Sequence, residues 1–135
     1  MQYEDKKALS QARMEHAAEC LSAADGLLAS GSYKSAANRS YYAVFHAMRA
    51  VLAFDEIDMK KHSGVIAEFR RLYIKTGIFD SELSTIISVL FDIRTESDYD
   101  DFFIISKDDV IHQVESARYF LAVISEYLTE KQAHG

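Results

Sequence analysis

At 135 residues and 15.3 kDa, with 49% hydrophobic and 27% charged residues, the chain has the composition of one ordinary folded domain, 1–135, and not of a disordered segment. It has no proline, five glycines and one cysteine, Cys20, which argues against a many-stranded β architecture and excludes an internal disulfide framework or a cysteine-based zinc site. A net charge of −6 argues against a protein that coats nucleic acid over its whole surface, and no apolar leader core or membrane-length run is present, so a soluble, cytoplasmic, all-α protein is expected.

Five helices follow from period and punctuation. The first runs from about Glu4 to Ala29, with Ala17, Cys20, Leu21, Ala24, Leu27 and Leu28 at helical spacing, and Gly31 supplies a left-handed end. The second runs from about Tyr33 to Phe54 behind Ser32 as N-cap. A third spans about Met59 to Lys75 and closes at Gly77. The fourth starts at Asp80 or Ser81 and ends near Ser97, before an irregular stretch from Asp98 to Ile105. Ser106 and Asp109 resemble a capping box at the head of the fifth helix, which runs to about Lys131. There Val110, Val114, Ala117, Leu121, Ile124 and Leu128 form a 4,3-spaced seam.

Charge is uneven along these helices. Residues 33–75 carry eight Lys/Arg against four Asp/Glu, whereas residues 76–110 carry two against nine. The plain reading is complementarity between neighbouring helices; the functional one is a local anion site in an acidic body.

The second helix has three kinds of face. Ala37, Tyr41, Val44, Phe45, Met48, Val51 and Leu52 form its core side. Ala36, Ala43, Ala47 and Ala50 form a narrow row that admits a close neighbour. Arg39, Tyr42, His46 and Arg49 share an arc of about 80°. This last stripe either covers the bundle edge, its arginines paired with acids of the fourth helix, or binds phosphate or RNA, with Tyr42 as a stacking platform.

In the fourth helix, Leu83, Ile86, Ile87 and Leu90 make an apolar row that Arg94 continues. A guanidinium aimed at a core must be paired. Asp98, four residues on, is the candidate partner. Elsewhere there is no phosphate-binding glycine loop and no H-E-x-x-H motif. Cys20 reads as a packed thiol. His16, His46, His62, His112 and His134 are scattered singly, so no metal or cofactor is expected. His62, in Lys60-Lys61-His62-Ser63-Gly64, opens the third helix either as a polar start or as a titratable cation beside a helix N-terminus, a position that favours anions.

The run Ala37-Asn38-Arg39-Ser40-Tyr41-Tyr42-Ala43-Val44-Phe45-His46-Ala47, followed by Lys61-His62-Ser63-Gly64-Val65-Ile66, then Phe69 and Tyr73 through Gly77, then Leu90-Phe91-Asp92-Ile93-Arg94 before Ser97-Asp98-Tyr99, resembles the HEPN (higher eukaryotes and prokaryotes nucleotide-binding) domain. It is most similar to the small stand-alone prokaryotic branch with an R-x3-D-Y signature, and the resemblance spans roughly Glu15 to Leu128. It implies an antiparallel four- to five-helix up-and-down bundle that forms a homodimer. It also implies a two-gene, toxin–antitoxin-type module with a minimal nucleotidyltransferase as partner. Nucleotide or RNA phosphate is then expected around Arg39, Tyr42, His46, Arg49, His62 and Arg94. Arg94, Asp98 and Tyr99 are the candidates for chemistry, Tyr99 as an acceptor of a nucleotidyl group. Ribonucleases of the family resemble one another in an R-x4-6-H motif. Here Tyr99, Asp100 and Asp101 stand where that histidine would fall, so His46 or His62 serves only where the fold brings one near Arg94. The alternatives to a binding protein are a metal-independent ribonuclease toxin with a non-standard base and a non-catalytic adaptor that binds protein alone. The alanine row and the apolar run Phe102-Phe103-Ile104-Ile105 are expected at a two-fold interface.

Overall fold

The computed structural model describes residues 2–134. Five α-helices follow in chain order, α1 (Tyr3–Ala29), α2 (Tyr33–Phe54), α3 (His62–Phe69), α4 (Glu82–Tyr99) and α5 (Lys107–His134), and make an all-helical bundle. The first two match the expected spans almost residue for residue. Gly31 sits at φ +82°, and Ser32 N–H donates to the Leu27 carbonyl at 2.8 Å, which closes α1 by the glycine-dependent 6→1 bond. Ser32 occupies the cap position of α2, but its side chain makes no cap bond.

α2 is the central element, with 14 of its 22 residues buried. Its Tyr41, Val44, Met48, Val51 and Leu52 meet Val65 and Phe69 of α3, Leu83, Ile87 and Leu90 of α4, and Phe120, Ile124 and Leu128 of α5 in one apolar cluster. The alanine row faces α1 instead. Ser10, Ala17 and Ala24 on α1 and Ala36, Ala43 and Ala50 on α2 are all fully buried and all seven residues apart. Ser10 Oγ donates to the Ala50 carbonyl at 2.8 Å, which sets the antiparallel register. Side chains this small let the two backbones pack closely. The alanine row is thereby consumed within the chain and is not left for a two-fold interface.

The third helix departs most from expectation. It begins at His62, and Met59 lies outside it, folded over the first turn so that a Cβ on Gly64 would meet Met59 Cε at 2.8 Å. Its last turn, Arg70–Ile74, is π-helical. The wide turn accompanies two anchors. Arg70 donates to Ser84 Oγ (2.9 Å), the Ser84 carbonyl (3.0 Å) and Ser88 Oγ (2.7 Å) on α4, and the Tyr73 hydroxyl donates to Asp55. Gly77, at φ +83°, then ends the segment as expected.

α4 runs two residues past the expected end, to Tyr99. Its start is capped by Asp80, whose Oδ1 accepts from Glu82 N–H at 2.8 Å. Beyond α4 the expected apolar run splits by alternation. Phe103 and Ile105 pack inward beside Ala24, Ala36, Val110 and Val114, while Phe102 and Ile104 are 90% and 89% exposed. Half of the anticipated capping box exists, with Ser106 Oγ accepting from Asp109 N–H at 3.1 Å. Among the described residues no helix is long and apolar enough to cross a membrane.

Candidate functional site

The polar stripe of α2 lies between α1 and α4, and each neighbour adds groups to it. On the α4 side, Arg94 Nη2 donates to the Tyr42 hydroxyl at 3.3 Å. Its guanidinium carbon stands 5.4 Å and 5.7 Å from the ring centres of Tyr41 and Tyr42. Arg39 covers Tyr42 at 4.9 Å, so this ring is flanked by two guanidinium groups. Arg94 Nε is 3.1 Å from Asp98 Oδ2, the pairing expected, but the approach is off-axis. The buried Nε is therefore in an ion pair without being in a hydrogen bond. Among the described residues the buried Ser97 hydroxyl, one residue before Asp98, has no hydrogen-bond partner either. Beside them a pocket of about 380 Å³ opens, lined by Lys34, Ser35, Asn38, Arg39, Ser97 and Asp98. Unspent donors, two cations and a hydroxyl around a polar pocket suit an anion with several acceptor oxygens. A slightly larger groove between α1 and α5, about 420 Å³, has no cation in its lining.

His62 completes this side. Its ring stacks on Phe45 at 4.1 Å, and its Nδ1 lies 2.6 Å from the Tyr41 hydroxyl. Both groups are neutral at pH 7. Burial pushes the Tyr41 phenol up to about 12, and burial with the nearby Arg94 and Arg49 charges pushes the His62 imidazole below its usual range. Of the two readings of His62, the polar helix start is favoured over the cation, because a ring pressed between Phe45 and two tyrosines is desolvated and already surrounded by positive charge. The fold does bring His62 to Arg94: the two approach the same pair of tyrosines and interact electrostatically.

On the α1 side the stripe meets residues that sequence reading left apart. Arg49 pairs with Asp58 at 3.1 Å, and Arg13 of α1 reaches the same carboxylate oxygen at 2.8 Å. The acid that answers Arg49 therefore comes from the α2–α3 connection and not from α4. The two guanidiniums hold the Asp58 carboxyl below the usual carboxylate range. Arg49 Nε is buried without a hydrogen-bond partner. His46 stacks on His16 with ring centres 3.9 Å apart. Burial first, then His16, Arg49, Arg39 and Arg13, push His46 down to about 4, so it too is neutral and adds no charge at pH 7. Cys20 is buried, as expected, and burial pushes its thiol up. Yet the histidines are not all single, and one cysteine does not exclude a mixed site: His16, Cys20 and His46 bring one donor atom each within 4.8 Å of one another.

Of the predicted residues, Arg39, Tyr42, His62, Arg94 and Asp98 gather at one end of the stripe, and His46 and Arg49 continue it toward α1. Tyr99, the last residue of α4, is 86% exposed. Sequence reading missed Arg13, Asp58 and the hydroxyl of Tyr41, which had been assigned to the core alone. Arg13, His16 and Cys20 recur at helical spacing, the one signal that placed them on a common face of α1.

Comparison with known proteins matches this chain to the HEPN domain over residues 10–127. A relative in Methanocaldococcus jannaschii with the name "Putative toxin MJ0142" is 35% identical over 118 residues, covering 87% of this chain and 80% of the relative. A Thermotoga maritima protein named "UPF0332 protein" is 32% identical over 126 residues, covering 93% and 96%. An Archaeoglobus fulgidus protein of the same name is 35% identical over 91 residues, covering 67% and 72%. With a domain match over most of its length and relatives aligned nearly end to end, the chain belongs to the HEPN domain family.

Proposed function

We propose that this protein is a toxin-type HEPN protein that binds RNA or a nucleotide through the Arg39–Tyr42–Arg94 cluster, and that it works as a homodimer beside a minimal nucleotidyltransferase. The observation that carries the reading is Arg94, a guanidinium fixed by Tyr42 and Asp98 yet left with a buried Nε outside any hydrogen bond, next to the orphan Ser97 hydroxyl and the Lys34/Arg39 pocket. A phosphate would complete these donors, and a base would stack on Tyr42 by displacing the Arg39 guanidinium that covers the ring. The toxin name of the Methanocaldococcus relative supports the toxin side of the reading. The exposed Phe102 and Ile104 support association with a second copy. The exposed Tyr99 hydroxyl supports its role as the nucleotidyl acceptor, since added phosphate beside Asp98, Asp100 and Asp101 would compete for Arg94.

A second reading, cleavage of RNA, is favoured by the placement of His62. In the tautomer whose Nδ1–H donates to the Tyr41 hydroxyl, Nε2 is a free base on a neutral ring within electrostatic reach of Arg94. Induced expression in a bacterial host tests both readings. Growth arrest by the wild type that Arg94→Ala relieves supports the site. Arrest relieved by His62→Gln as well, with RNA breakdown in the wild type, supports cleavage. Arrest that survives Arg94→Ala contradicts a toxic action through this site, and absence of arrest by the wild type contradicts the toxin reading. Incubation with the nucleotidyltransferase and ATP should add one adenylyl mass to the wild type and none to Tyr99→Phe.

A further inference from the structure

We infer that His16, Cys20 and His46 form a binding site for a thiophilic d10 metal ion of the zinc type, bridging α1 and α2 at the inner end of the polar stripe. His16 and Cys20 are one helical turn apart, so their side chains rise from the same face of α1, and His46 comes across the seam from α2. One donor atom from each already lies within 4.8 Å of the others. Zinc takes nitrogen at about 2.0–2.1 Å and thiolate sulfur at about 2.3 Å, which sets donor separations of roughly 3.3–3.8 Å around a tetrahedral ion. The present arrangement closes to that set by side-chain rotation. The imidazoles, stacked with 3.9 Å between centres, must splay apart for both nitrogens to point at one ion beside the sulfur.

The chemistry of the three groups fits. A histidine ligand must be neutral, and His46 is held neutral by burial and by the cations around it. Cys20 is a protonated, buried thiol, and coordination forms the metal–sulfur bond as the S–H proton leaves to solvent, so binding releases one proton from this residue. The thiolate charge lowers the net charge of a divalent ion beside Arg39, Arg13 and Arg49 to +1. Three protein ligands leave a fourth position for water, and the same arginines favour an anion there. The site adjoins the phosphate cluster through Arg39, but its donor atoms are not part of that cluster's Arg39–Tyr42–Arg94 set, and its test does not depend on RNA binding or on toxicity.

Tag-free, reduced, full-length protein is titrated with Co(II) and then with Zn(II). The expected result is one Co(II) per chain with a thiolate-to-cobalt charge-transfer band in the near ultraviolet, abolished by one equivalent of Zn(II). Cys20→Ser should remove the band. His46→Gln and the exposed His16→Gln should each weaken Co(II) affinity by about tenfold or more, while His112→Gln, on α5, should leave it unchanged. Zn(II) should also raise the thermal midpoint of the wild type and not of His16→Gln, a variant whose exposed ring makes loss of folding an inadequate explanation. The inference is overturned if the wild type shows no charge-transfer band, or if binding and the thermal shift persist in both Cys20→Ser and His16→Gln.

Discussion

The two long helices that open the chain meet along two adjacent strips with opposite chemistry. One strip is Ser10, Ala17 and Ala24 against Ala36, Ala43 and Ala50, all fully buried. The other, one step round the same helices, is Arg13, His16 and Cys20 against Arg49, His46 and Arg39. The small strip has no polar side chain except Ser10, whose hydroxyl is answered by a carbonyl. The polar strip holds the orphan Nε of Arg49 and the imidazoles of His16 and His46 pressed face to face. The first strip specifies the distance and register of α1 on α2. The second uses that closeness to gather Arg13, Arg49 and Arg39 around the His16–His46 stack, with Asp58 answering two of the three cations. Continued toward α4, the same strip ends at Arg94, Asp98 and the orphan Ser97 hydroxyl.

The comparison can be broken most strongly at the alanine strip. Ala43→Leu inserts three carbons where nothing is exposed, and should cost about 1–3 kcal/mol of unfolding free energy by overpacking. A urea midpoint unchanged from wild type would show that the seam is looser than its burial implies.

A smaller effect is expected from pH on the polar strip. The native His46 titrates near 4, below its usual value of about 6.5, so between these pH values the unfolded chain binds a proton that the native chain refuses. Stability therefore falls as pH drops through that window, and His62, shifted in the same direction, adds to the fall. His46 keeps partial contact with solvent, so the loss between pH 7 and pH 5 should be only about 1 kcal/mol. Denaturation midpoints at the two pH values should lie closer together in His46→Gln than in the wild type. An equal gap in both would remove His46 from the account.

The smallest effect belongs to Asp58. It is half-exposed although two arginines share it, and Asp58→Asn should cost below about 1 kcal/mol. Freed of that carboxylate, Arg13 and Arg49 should bind RNA more tightly in the variant. Weaker RNA binding would mean that Asp58 positions the arginines and does not compete for them.

The helices were legible because each carries its own period and ending. Gly31 and Gly77 stand at the left-handed positions where two segments close, and the α5 seam from Val110 to Leu128 is buried as its spacing required. The errors fall where a side chain from elsewhere decides the backbone. The π turn at Arg70–Ile74 accompanies bonds from Arg70 to α4 and from Tyr73 to Asp55, and no local pattern announces either. The candidate site was legible in part for the same reason. Arg39, Tyr42, His46 and Arg49 lie on one helix, so period alone grouped them, and the spacing from Arg94 to Asp98 gave their pair. Arg13, His16 and Cys20 join through the register of α1 on α2, which the seven-residue repeat of small side chains encodes only when both helices are read together. The protonation of His46 and His62 was not legible, because burial, which lowers their affinity for protons, is a property of the packed bundle.

The claim that matters most is that Arg94 anchors an anion. Binding of a short single-stranded RNA, measured by fluorescence anisotropy on the wild type and Arg94→Ala from about 50 to 200 mM salt, tests it directly. The account predicts an affinity that falls steeply with salt in the wild type, and an Arg94→Ala variant about tenfold weaker at low salt with a shallower salt slope and an unchanged far-ultraviolet spectrum. Equal affinities for the two proteins, or no binding by the wild type at the lowest salt, would contradict it.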